Sequence, residues 1–504
     1  MSHSLSEARI TRHGLALVLS VALAVRLWIV ATHIYVVWPD ETFQYLEPAH
    51  RLAFGSGVIT WEFLDGIRSW LLPGVLAGVM RVAALFGDDP DFYIVPIRVL
   101  CVLASLSIPY VGYRMAARRY GAVSALLAGL LCALSSEAVY FAPTILTEPL
   151  ATDAALLAIW LGDSAGDHGQ PRRRLLLAGL LFGLAASLRW QYAPVLALVV
   201  LAQHASRPRD FLRVLAGGIA VVVPALGVLD WLTWGTPFQS VWLNFLRNAA
   251  DGVSGAMGTQ PWWFYPMYYV AAWGVLAGPL LALALYGATR APVLGLAMLA
   301  TIALHTLSTH KELRFVFLAT ACMPMLVGIG LGGVLGRMPR FRQPVAGAAM
   351  AVVLALVIAA TTAIASFARA TPADAWHRGR SILLATQAAR RVPGACALGV
   401  RSIKVYRSGG YTYWHRDLPI YFDTWDASQV LEHTEFRLNL DSVLDGHHVP
   451  QHADGTFSAH PKAFNVLIGA PTDGLPGFSA GTCFGDGTRA DPTFCVFTRP
   501  GGCA

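Results

Sequence analysis

The sequence RHGLALVLSVALAVRLWIVATHIY, residues 12–35, is followed almost at once by WPDETFQYLEPAH, residues 38–50. A helix of about 20 apolar residues crosses the hydrocarbon core of a bilayer, so the first stretch is long enough to be a membrane span. No small-residue cleavage site precedes the acids, which predicts a retained anchor rather than a cleaved signal peptide. The second stretch therefore places the adjacent carboxylates of Asp40 and Glu41 where a membrane span ends.

Similar apolar stretches recur along the chain. Of the 504 residues, 55% are hydrophobic and 13% are charged, a composition that argues against a water-soluble globule. It predicts an all-α polytopic membrane protein with about 11–13 transmembrane helices. The candidate spans lie near residues 12–35, 69–87, 92–113, 119–141, 145–162, 174–189, 191–205, 211–233, 265–288, 291–308, 313–337 and 345–367.

The basic residues predict which side of the membrane each loop faces. The net charge of +7 comes with arginines in short loops between the spans, which is the positive-inside pattern rather than a patch for nucleic acid. If those loops are cytoplasmic, residues 36–68, residues 234–264 and the C-terminal tail face the opposite side. About eleven spans, with residues 69–87 not crossing, fit this rule best, and twelve or thirteen are the alternatives. The arginines are Arg9, Arg12, Arg114, Arg118, Arg119, Arg172, Arg173, Arg174, Arg207, Arg209, Arg213, Arg337, Arg340 and Arg342.

The polar residues after position 368 predict a second domain. The segments ACALGV, FNVLIG and FCVFTR are typical of short buried strands, and DAWHRGRSILLATQAARRV has the apolar spacing of a helix. We therefore expect a transmembrane domain over residues 1–368 and a small extracytoplasmic α/β domain over residues 369–504.

Four of the seven cysteines lie in this polar tail, at Cys396, Cys483, Cys495 and Cys503. Thiols gathered on the outer side favour an oxidising compartment and one or two disulfides among these four residues. Their spacings match no zinc-binding pattern.

The first acidic loop permits two interpretations. Residues 36–68 hold five acids against two arginines, and ETFQYLEPAHRLAF can form an amphipathic helix along the membrane surface. The acids could simply favour the N-terminus of that helix. Alternatively, a carboxylate held at the outer face could act as a general base toward a hydroxyl nucleophile.

Three further clusters combine charged or polar groups with span ends. The turn FAPTILTEPLATD carries Glu148 and Asp153, and ionisable groups at such depth are costly and often functional. Glu148 could instead cap a helix. The turn HTLSTHKELRF sets His310, Lys311 and Arg314 around Glu312, a suitable cradle for a lipid-linked phosphate or, alternatively, a tight interfacial turn with snorkelling side chains.

The last cluster lies in a long aromatic loop between Asp230 and Tyr269. Its tryptophans and tyrosines suit a membrane interface whatever the function. Asn244, Arg247, Asn248 and Trp262 would also suit sugar hydroxyls or a phosphate. The chain has no GxxxxGK[ST], HExxH or GxSxG motif, which argues against soluble nucleotide chemistry and serine hydrolysis.

Taken in order, these motifs resemble those of the glycosyltransferase family 22 mannosyltransferases. The stretch PDETFQYLEPAHRLAFGSGVITWEFLDGIRSWLLPG is similar to that family's first external loop, FAPTILTEPLATD to its next acidic turn, and HKELRF to its HKE-x-RF turn. The segment DWLTWGTP with NFLRN and PWWFY resembles its long donor-side loop. The resemblance covers roughly residues 12–340.

The resemblance implies a GT-C fold and an inverting enzyme that takes mannose from a polyprenyl-phosphate carrier. Asp40 would be the catalytic base with Glu41 beside it, while His310, Lys311 and Arg314 would face the donor phosphate. The remaining candidates for substrate binding are Arg68, Glu148, Asp153, Asn244, Arg247, Asn248 and Trp262. No cofactor is firmly implied, although the acidic loop could hold a divalent metal.

Two departures qualify the resemblance. Trp38 stands where the family usually has a histidine, and the cysteine-bearing tail points to a bacterial homologue with its active site and tail in the periplasm. The acceptor would be a glycan, a glycolipid or a protein. The alternatives are a transporter or flippase of a polyprenyl-linked sugar, or a GT-C enzyme for another sugar such as arabinose.

Overall fold

The computed structural model describes residues 2–503 except 37, 164–170, 257, 342, 369–375, 404–406, 423–463 and 490. The chain forms two compact units. The first unit comprises Met1–Thr32, Arg98–Leu232 and Gly258–Thr371, and the second comprises His33–Ile97, Thr233–Met257 and Pro372–Ala504.

Helices make up most of the described chain. The α-helices are α1 Ser2–Thr32, α2 Glu47–Phe54, α3 Trp61–Leu64, α4 Leu71–Ala83, α5 Asp91–Ser105, α6 Ser107–Leu134, α7 Ser136–Phe141, α8 Thr147–Gly162, α9 Arg172–Leu188, α10 Ala193–His204, α11 Pro208–Val222, α12 Leu229–Trp234, α13 Gln239–Phe245, α14 Val253–Ala256, α15 Phe264–Trp273, α16 Ala277–Arg290, α17 Pro292–Thr306, α18 Phe317–Leu335, α19 Pro344–Ala368, α20 Arg380–Arg390 and α21 Gly410–Trp414. π-Helical turns span Glu41–Leu46, Val223–Val228 and Leu246–Ala250. Short 3₁₀ turns span Trp190–Tyr192, Gly274–Leu276, Leu313–Val316 and Pro339–Phe341.

Within the described residues, 6 helical stretches are long and apolar enough to cross a membrane. Two shorter apolar helices, Leu71–Ala83 and Pro292–Thr306, add to them. The protein is therefore a multi-pass membrane protein, as the composition predicts. The six stretches are His13–Thr32, Asp91–Leu134, Pro208–Trp234, Phe264–Arg290, Leu313–Leu335 and Pro344–Ser366.

The stretch Asp91–Leu134 contains a break. Its 44 residues would extend about 66 Å as a straight helix, roughly twice the thickness of a hydrocarbon core. The chain turns at Gly121, whose φ of 77° favours glycine because it has no Cβ. The break separates the two spans that the sequence predicts near residues 92–113 and 119–141.

Glycines allow the central helices of the first unit to pack closely. A Cβ placed on Gly328 of α18 would lie 2.3 Å from the backbone nitrogen of Ala128 in α6. A Cβ on Gly332 would meet Ser124 of α6 at a similarly short distance. Small residues that let helix backbones approach are typical of membrane helix interfaces. These contacts fix α18, which follows the turn that carries Arg314.

The C-terminal part of the second unit contains a five-stranded sheet. Its strands are β1 Leu398–Val400, β2 Ile420–Phe422, β3 Val466–Gly469, β4 Ser479–Phe484 and β5 Phe494–Thr498. The order is β2-β1-β3-β5-β4, with β1 parallel to β2 and β3, and β5 antiparallel to β3 and β4. Helix α20 packs on β3, β4 and β5. The prediction of a small α/β region at the C-terminus is confirmed.

Two disulfides connect the cysteines of the tail. Cys396 pairs with Cys503, and Cys483 pairs with Cys495 across neighbouring strands. The first bond fixes the end of the chain beside the residues that lead into β1.

The second unit joins this sheet with residues 33–97 and 233–257. The tail thus shares a compact unit with the first acidic loop. A separate domain over residues 369–504 stays a prediction.

Candidate active site

Asp40 stands at the start of a continuous helical segment in the second unit. The π-helical turn Glu41–Leu46 follows it and passes directly into α2. Every side chain of that turn is buried, and so are Glu47 and His50 in α2. The sequence predicts an amphipathic helix along the membrane surface, with its polar face in water. In the structure, polar side chains of this segment are buried and bind partners inside the second unit. π-Helical turns are rare and occur frequently at functional sites.

The carboxylate of Asp40 belongs to a chain of polar side chains. Gln44 Nε2 donates hydrogen bonds to Asp40 Oδ1 at 2.8 Å and to Glu62 Oε1 at 2.7 Å. Arg68 lies 3.6 Å from the same oxygen of Glu62. Glu41, the predicted neighbour of the base, is 1% exposed. The structure therefore connects Asp40 with Arg68 through two residues outside the predicted set of site residues.

The predicted polar residues of the aromatic loop contact the same part of the second unit. Asn244 Nδ2 donates to the carbonyl of Ile67 at 3.3 Å, and Arg247 lies 3.5 Å from Asp65. Asn248 Nδ2 donates to the carbonyl of Asn244 at 2.9 Å. These contacts place Asn244 and Arg247 against the chain segment that ends at Arg68.

Glu47 forms a second buried polar centre near the start of α2. Its carboxylate accepts hydrogen bonds from the backbone N–H groups of Val58 at 2.8 Å and Thr412 at 2.6 Å, and from the hydroxyl of Thr412. Complete burial raises the pKa of Glu47, although these hydrogen bonds favour its charged form. The centre therefore ties α2 to α21.

His50, one helical turn after Glu47, has a ring partner in the same unit. Its Nε2 lies 2.8 Å from Nδ1 of His415. Burial lowers the pKa of His50 to about 4, so this imidazole is neutral at physiological pH.

In the first unit, Glu148 is the acid of a buried ion cluster. It lies at the start of α8, 3.2 Å from Arg189 and 3.6 Å from Arg314. Glu148 is 1% exposed, and both arginines are buried too. Both guanidinium groups lie over the ring of Phe315. The distance from Cζ to the ring centroid is 4.9 Å for Arg189 and 5.3 Å for Arg314. Two cations thus share one carboxylate and one aromatic ring.

Glu312 extends this cluster toward His310. Its carboxylate accepts from Arg314 Nε at 2.7 Å and lies 3.0 Å from His310 Nε2. Burial alone would raise the pKa of Glu312, but Arg314 and His310 outweigh burial and hold that pKa at about 2. The hydrogen bond with Glu312 raises the pKa of His310. The predicted grouping of His310 and Arg314 around Glu312 is present in the structure.

Lys311 points to backbone oxygens rather than to Glu312. Its Nζ donates to the carbonyl of Gln260 at 2.9 Å and to that of Ser308. The side chain is 6% exposed. Its ammonium charge is thus held by neutral carbonyl groups, which leaves it suited to an additional anionic partner.

Two predicted residues lie apart from this cluster within the first unit. Asp153, further along α8 than Glu148, accepts a hydrogen bond from Ser107 Oγ at 2.6 Å. Trp262 is 68% exposed and stacks edge-on against Trp263. Within the described part of the chain, neither side chain takes part in the ion pairs of Glu148 and Glu312.

The sequence motifs do not predict the contact of Arg189 with Glu148. They also do not predict that Gln44 bridges Asp40 and Glu62. Arg189 directly follows the apolar helix α9, and a single arginine at the end of such a helix was an available signal. Gln44 carries no charge, so it gave no comparable signal. Among the described residues, no group of three or more His, Cys, Asp or Glu side chains could hold a metal ion.

Comparison with known proteins identifies the family. The profile of the Alg9-like mannosyltransferase family matches residues 17–375. GPI mannosyltransferase 3 of Yarrowia lipolytica is 32% identical over 289 residues, which cover 55% of this chain and 55% of that protein. GPI alpha-1,2-mannosyltransferase 3 of Danio rerio is 27% identical over 321 residues, covering 62% of this chain and 58% of that protein. The matched part of the chain spans little more than half the length of these relatives.

A solved structure shares the fold. ArnT from Cupriavidus metallidurans, crystallised with undecaprenyl phosphate, is similar with a TM-score of 0.60 over 95% of this chain and 97% of ArnT, at 14% sequence identity. The predicted GT-C fold is confirmed, and so is the family that the motifs indicate. This chain belongs to the Alg9-like mannosyltransferase family.

Proposed function

We propose that this protein is an inverting glycosyltransferase that moves mannose from a polyprenyl-phosphate carrier to an acceptor hydroxyl on the outer membrane face. The observation that carries the proposal is the family match over residues 17–375, a range that includes Asp40, Glu148 and the turn around Glu312. A mannosyltransferase needs a base for the acceptor and positive charge for the leaving group. The candidates for these roles are Asp40 and the basic residues around Glu148 and Glu312.

Asp40 is the proposed base. As the acceptor hydroxyl oxygen attacks the anomeric carbon of mannose, its proton moves to the Asp40 carboxylate. The bond between that carbon and the phosphate oxygen breaks on the opposite face, so the anomeric configuration inverts. The hydrogen bond from Gln44 Nε2 holds the carboxylate of Asp40 at its Oδ1 atom.

The basic residues of the first unit are the proposed phosphate ligands. Arg314 and Arg189 present guanidinium groups, which match phosphate oxygens in geometry, and Lys311 adds a point charge. Glu148 and Glu312 hold the arginines in place through the ion pairs described above. A phosphate is already a good leaving group, so positive charge would be sufficient without an acid to protonate it.

The carrier and the location follow from further observations. ArnT was solved with undecaprenyl phosphate and has a similar fold over nearly the whole chain, which supports a polyprenyl-phosphate donor. The two disulfides of the tail support an oxidising compartment, for which we propose the bacterial periplasm. The acceptor would be a glycan, a glycolipid or a protein, and the protein would reside in the inner membrane.

The decisive experiment uses the purified full-length protein in lipid vesicles. It is incubated with radiolabelled polyprenyl-phosphate mannose and candidate acceptors, beside Asp40→Asn and the matched control Asp486→Asn. Asp486 is an acid of the tail that lies outside the family match. We expect transfer by the wild type and by Asp486→Asn, and a loss of at least about a hundredfold in Asp40→Asn.

The other outcomes discriminate between the alternatives. Full activity of Asp40→Asn would remove Asp40 as the base. Transfer only from another polyprenyl-phosphate sugar, such as an arabinose, would change the donor. Movement of the labelled lipid between leaflets without transfer would replace the enzyme by a flippase.

A further inference from the structure

One amide nitrogen in the second unit faces two carboxylates. Gln44 Nε2 lies 2.8 Å from Asp40 Oδ1 and 2.7 Å from Glu62 Oε1. An amide –NH₂ has two hydrogens, so each hydrogen can be donated to one acid. If the amide were rotated by 180°, its oxygen would face two carboxylate oxygens. This arrangement is unfavourable because all three atoms are acceptors and no hydrogen lies between them. Gln44 therefore acts as a double donor.

The bridge joins segments that are separate in sequence. Asp40 and Gln44 are four residues apart on one helical segment, whereas Glu62 lies in the short helix α3. Gln44 is 6% exposed and Glu62 is 8% exposed. A hydrogen bond in such a buried position constrains both acids more strongly than one in water.

A cation lies at the far end of the bridge. Arg68 is 3.6 Å from the Glu62 oxygen that Gln44 contacts. Gln44 thus links Asp40 to an acid that has its own cationic partner.

We propose that Gln44 is a positioning residue that fixes Asp40 for proton transfer, and that Glu62, held by Arg68, fixes the Gln44 amide from its other side. This inference rests on the proposed function, in which Asp40 is the base. It adds positioning roles for Gln44 and Glu62 that neither the sequence motifs nor the comparisons assign.

The first test measures kcat and KM for mannosyl transfer. The variants are Glu62→Gln, Glu62→Ala and Gln44→Ala, with Asp486→Asn as the control. Glu62→Gln keeps an oxygen that can accept from Gln44, so it should lower kcat less than Glu62→Ala, which removes that acceptor. Equal losses in the two variants would show that the acceptor on Glu62 makes no contribution.

Gln44→Ala tests positioning. It removes the donor that orients Asp40, so kcat should fall about tenfold or more while KM changes less than about twofold. Gln44→Glu keeps the size of the side chain but sets a third acid between the other two. It should lower kcat as well, because a carboxylate cannot donate a hydrogen bond to each of the other two acids.

A second measurement does not depend on activity. Thermal unfolding of detergent-solubilised Gln44→Ala and Glu62→Ala should match that of the wild type, so that the fall in kcat reports the position of Asp40 and not a loss of folded protein. A fall in melting temperature that accounts for the lost activity would overturn the positioning role.

The outcomes separate the two proposals. If the wild type transfers mannose and Asp40→Asn does not, but Gln44→Ala keeps the wild-type kcat, this inference is wrong and the proposed function stands. If Asp40→Asn is fully active, both fail, because Gln44 then positions no base.

Discussion

Arg189 lies 3.2 Å from Glu148, and both side chains are buried in the first unit. The two residues come from different helical segments, one following α9 and one at the start of α8. Arg314 approaches the same carboxylate from a third segment. This ion cluster therefore holds three parts of the chain together, in addition to its proposed role in binding phosphate.

Breaking the cluster at Arg189 should destabilise the protein. Arg189→Ala leaves Glu148 with one cation in a buried position, and removing one partner of a buried pair costs about 3–5 kcal/mol. Thermal unfolding in detergent measures the loss. Asp210→Asn, which breaks the more exposed pair of Asp210 and Arg213, should cost no more than about 1 kcal/mol. Equal losses in the two variants would contradict the buried role of Arg189.

The pair of His310 and Glu312 should make stability depend on pH. Its hydrogen bond to Glu312 raises the pKa of His310 above the ordinary 6.5. This contribution is fully present below pH 6.5 and is lost as the pH rises through the raised pKa. The pKa of Glu312 is lowered from 4.5 to about 2, so its contribution is present above pH 4.5 and is lost as the pH falls toward 2.

The variant His310→Gln isolates this effect. We expect the melting temperature of the wild type to exceed that of His310→Gln at pH 6 and the difference to shrink as the pH rises to 9. A constant difference over that range would show that protonation of His310 makes no contribution.

Replacement of Glu47 should loosen the second unit. The carboxylate of Glu47 accepts hydrogen bonds from the N–H of Val58 on one oxygen and from the N–H and hydroxyl of Thr412 on the other. In Glu47→Gln, an –NH₂ group replaces one of these oxygens, so it would face a donor instead of accepting from it. We expect a loss of about 1–3 kcal/mol. Thr412→Val removes only one of those donors and should cost less. Unfolding curves followed by tryptophan fluorescence compare the two, and a smaller loss in Glu47→Gln would argue against this account.

The two disulfides should contribute unequally. The bond of Cys396 and Cys503 joins residues 107 apart, whereas that of Cys483 and Cys495 joins residues 12 apart. Loop-closure entropy predicts about 2 kcal/mol more stabilisation from the longer loop. Paired Cys→Ser replacements avoid leftover thiols, and the protease resistance of the tail measures the loss. Cys101→Ser, which replaces a buried cysteine outside these two disulfides, is the control, and the tail of this variant should resist protease like that of the wild type.

Packing of α18 on α6 should tolerate no added side chain. Gly328→Ala would bring a Cβ to 2.3 Å from the backbone nitrogen of Ala128, so one helix must move. We expect a loss of about 1–3 kcal/mol. At Gly78 of α4 no heavy atom lies within 4 Å of an added Cβ. Gly78→Ala should therefore be neutral or stabilising by up to about 1 kcal/mol, and thermal unfolding of both variants provides the comparison.

The sequence predicts the elements that have a strong local pattern. The apolar spans are visible from length and composition, and strands β1, β3 and β5 coincide with runs of apolar residues. Strand β2 has only three residues, and β4, SAGTCF, is mostly exposed and built from small residues. Such segments form strands because they pair with neighbouring strands, β2 with β1 and β4 with β5. The amino-acid pattern of the segment itself does not predict this pairing.

The candidate site is predictable only in part for a similar reason. The charged turn around Glu312 is compact in sequence, so its internal pairs follow from composition. The contact of Glu148 with Arg189 depends on how α8 and α9 pack, and the bridge through Gln44 depends on the position of α3. Burial of the segment after Asp40 was also missed, because its partner residues, such as Thr412, lie far along the chain.

The bond between Glu47 and Thr412 has a consequence for truncated forms of the protein. Ending the chain before residue 410 would remove α21 and leave the Glu47 carboxylate inside the second unit without two of its donors. The helical segment that starts at Asp40 would then lose an anchor only a few residues from the proposed base. If the proposed function is right, a protein shortened in this way should lose transfer activity even though every motif of the family is still encoded. The tail would then act as structural support for the acidic loop.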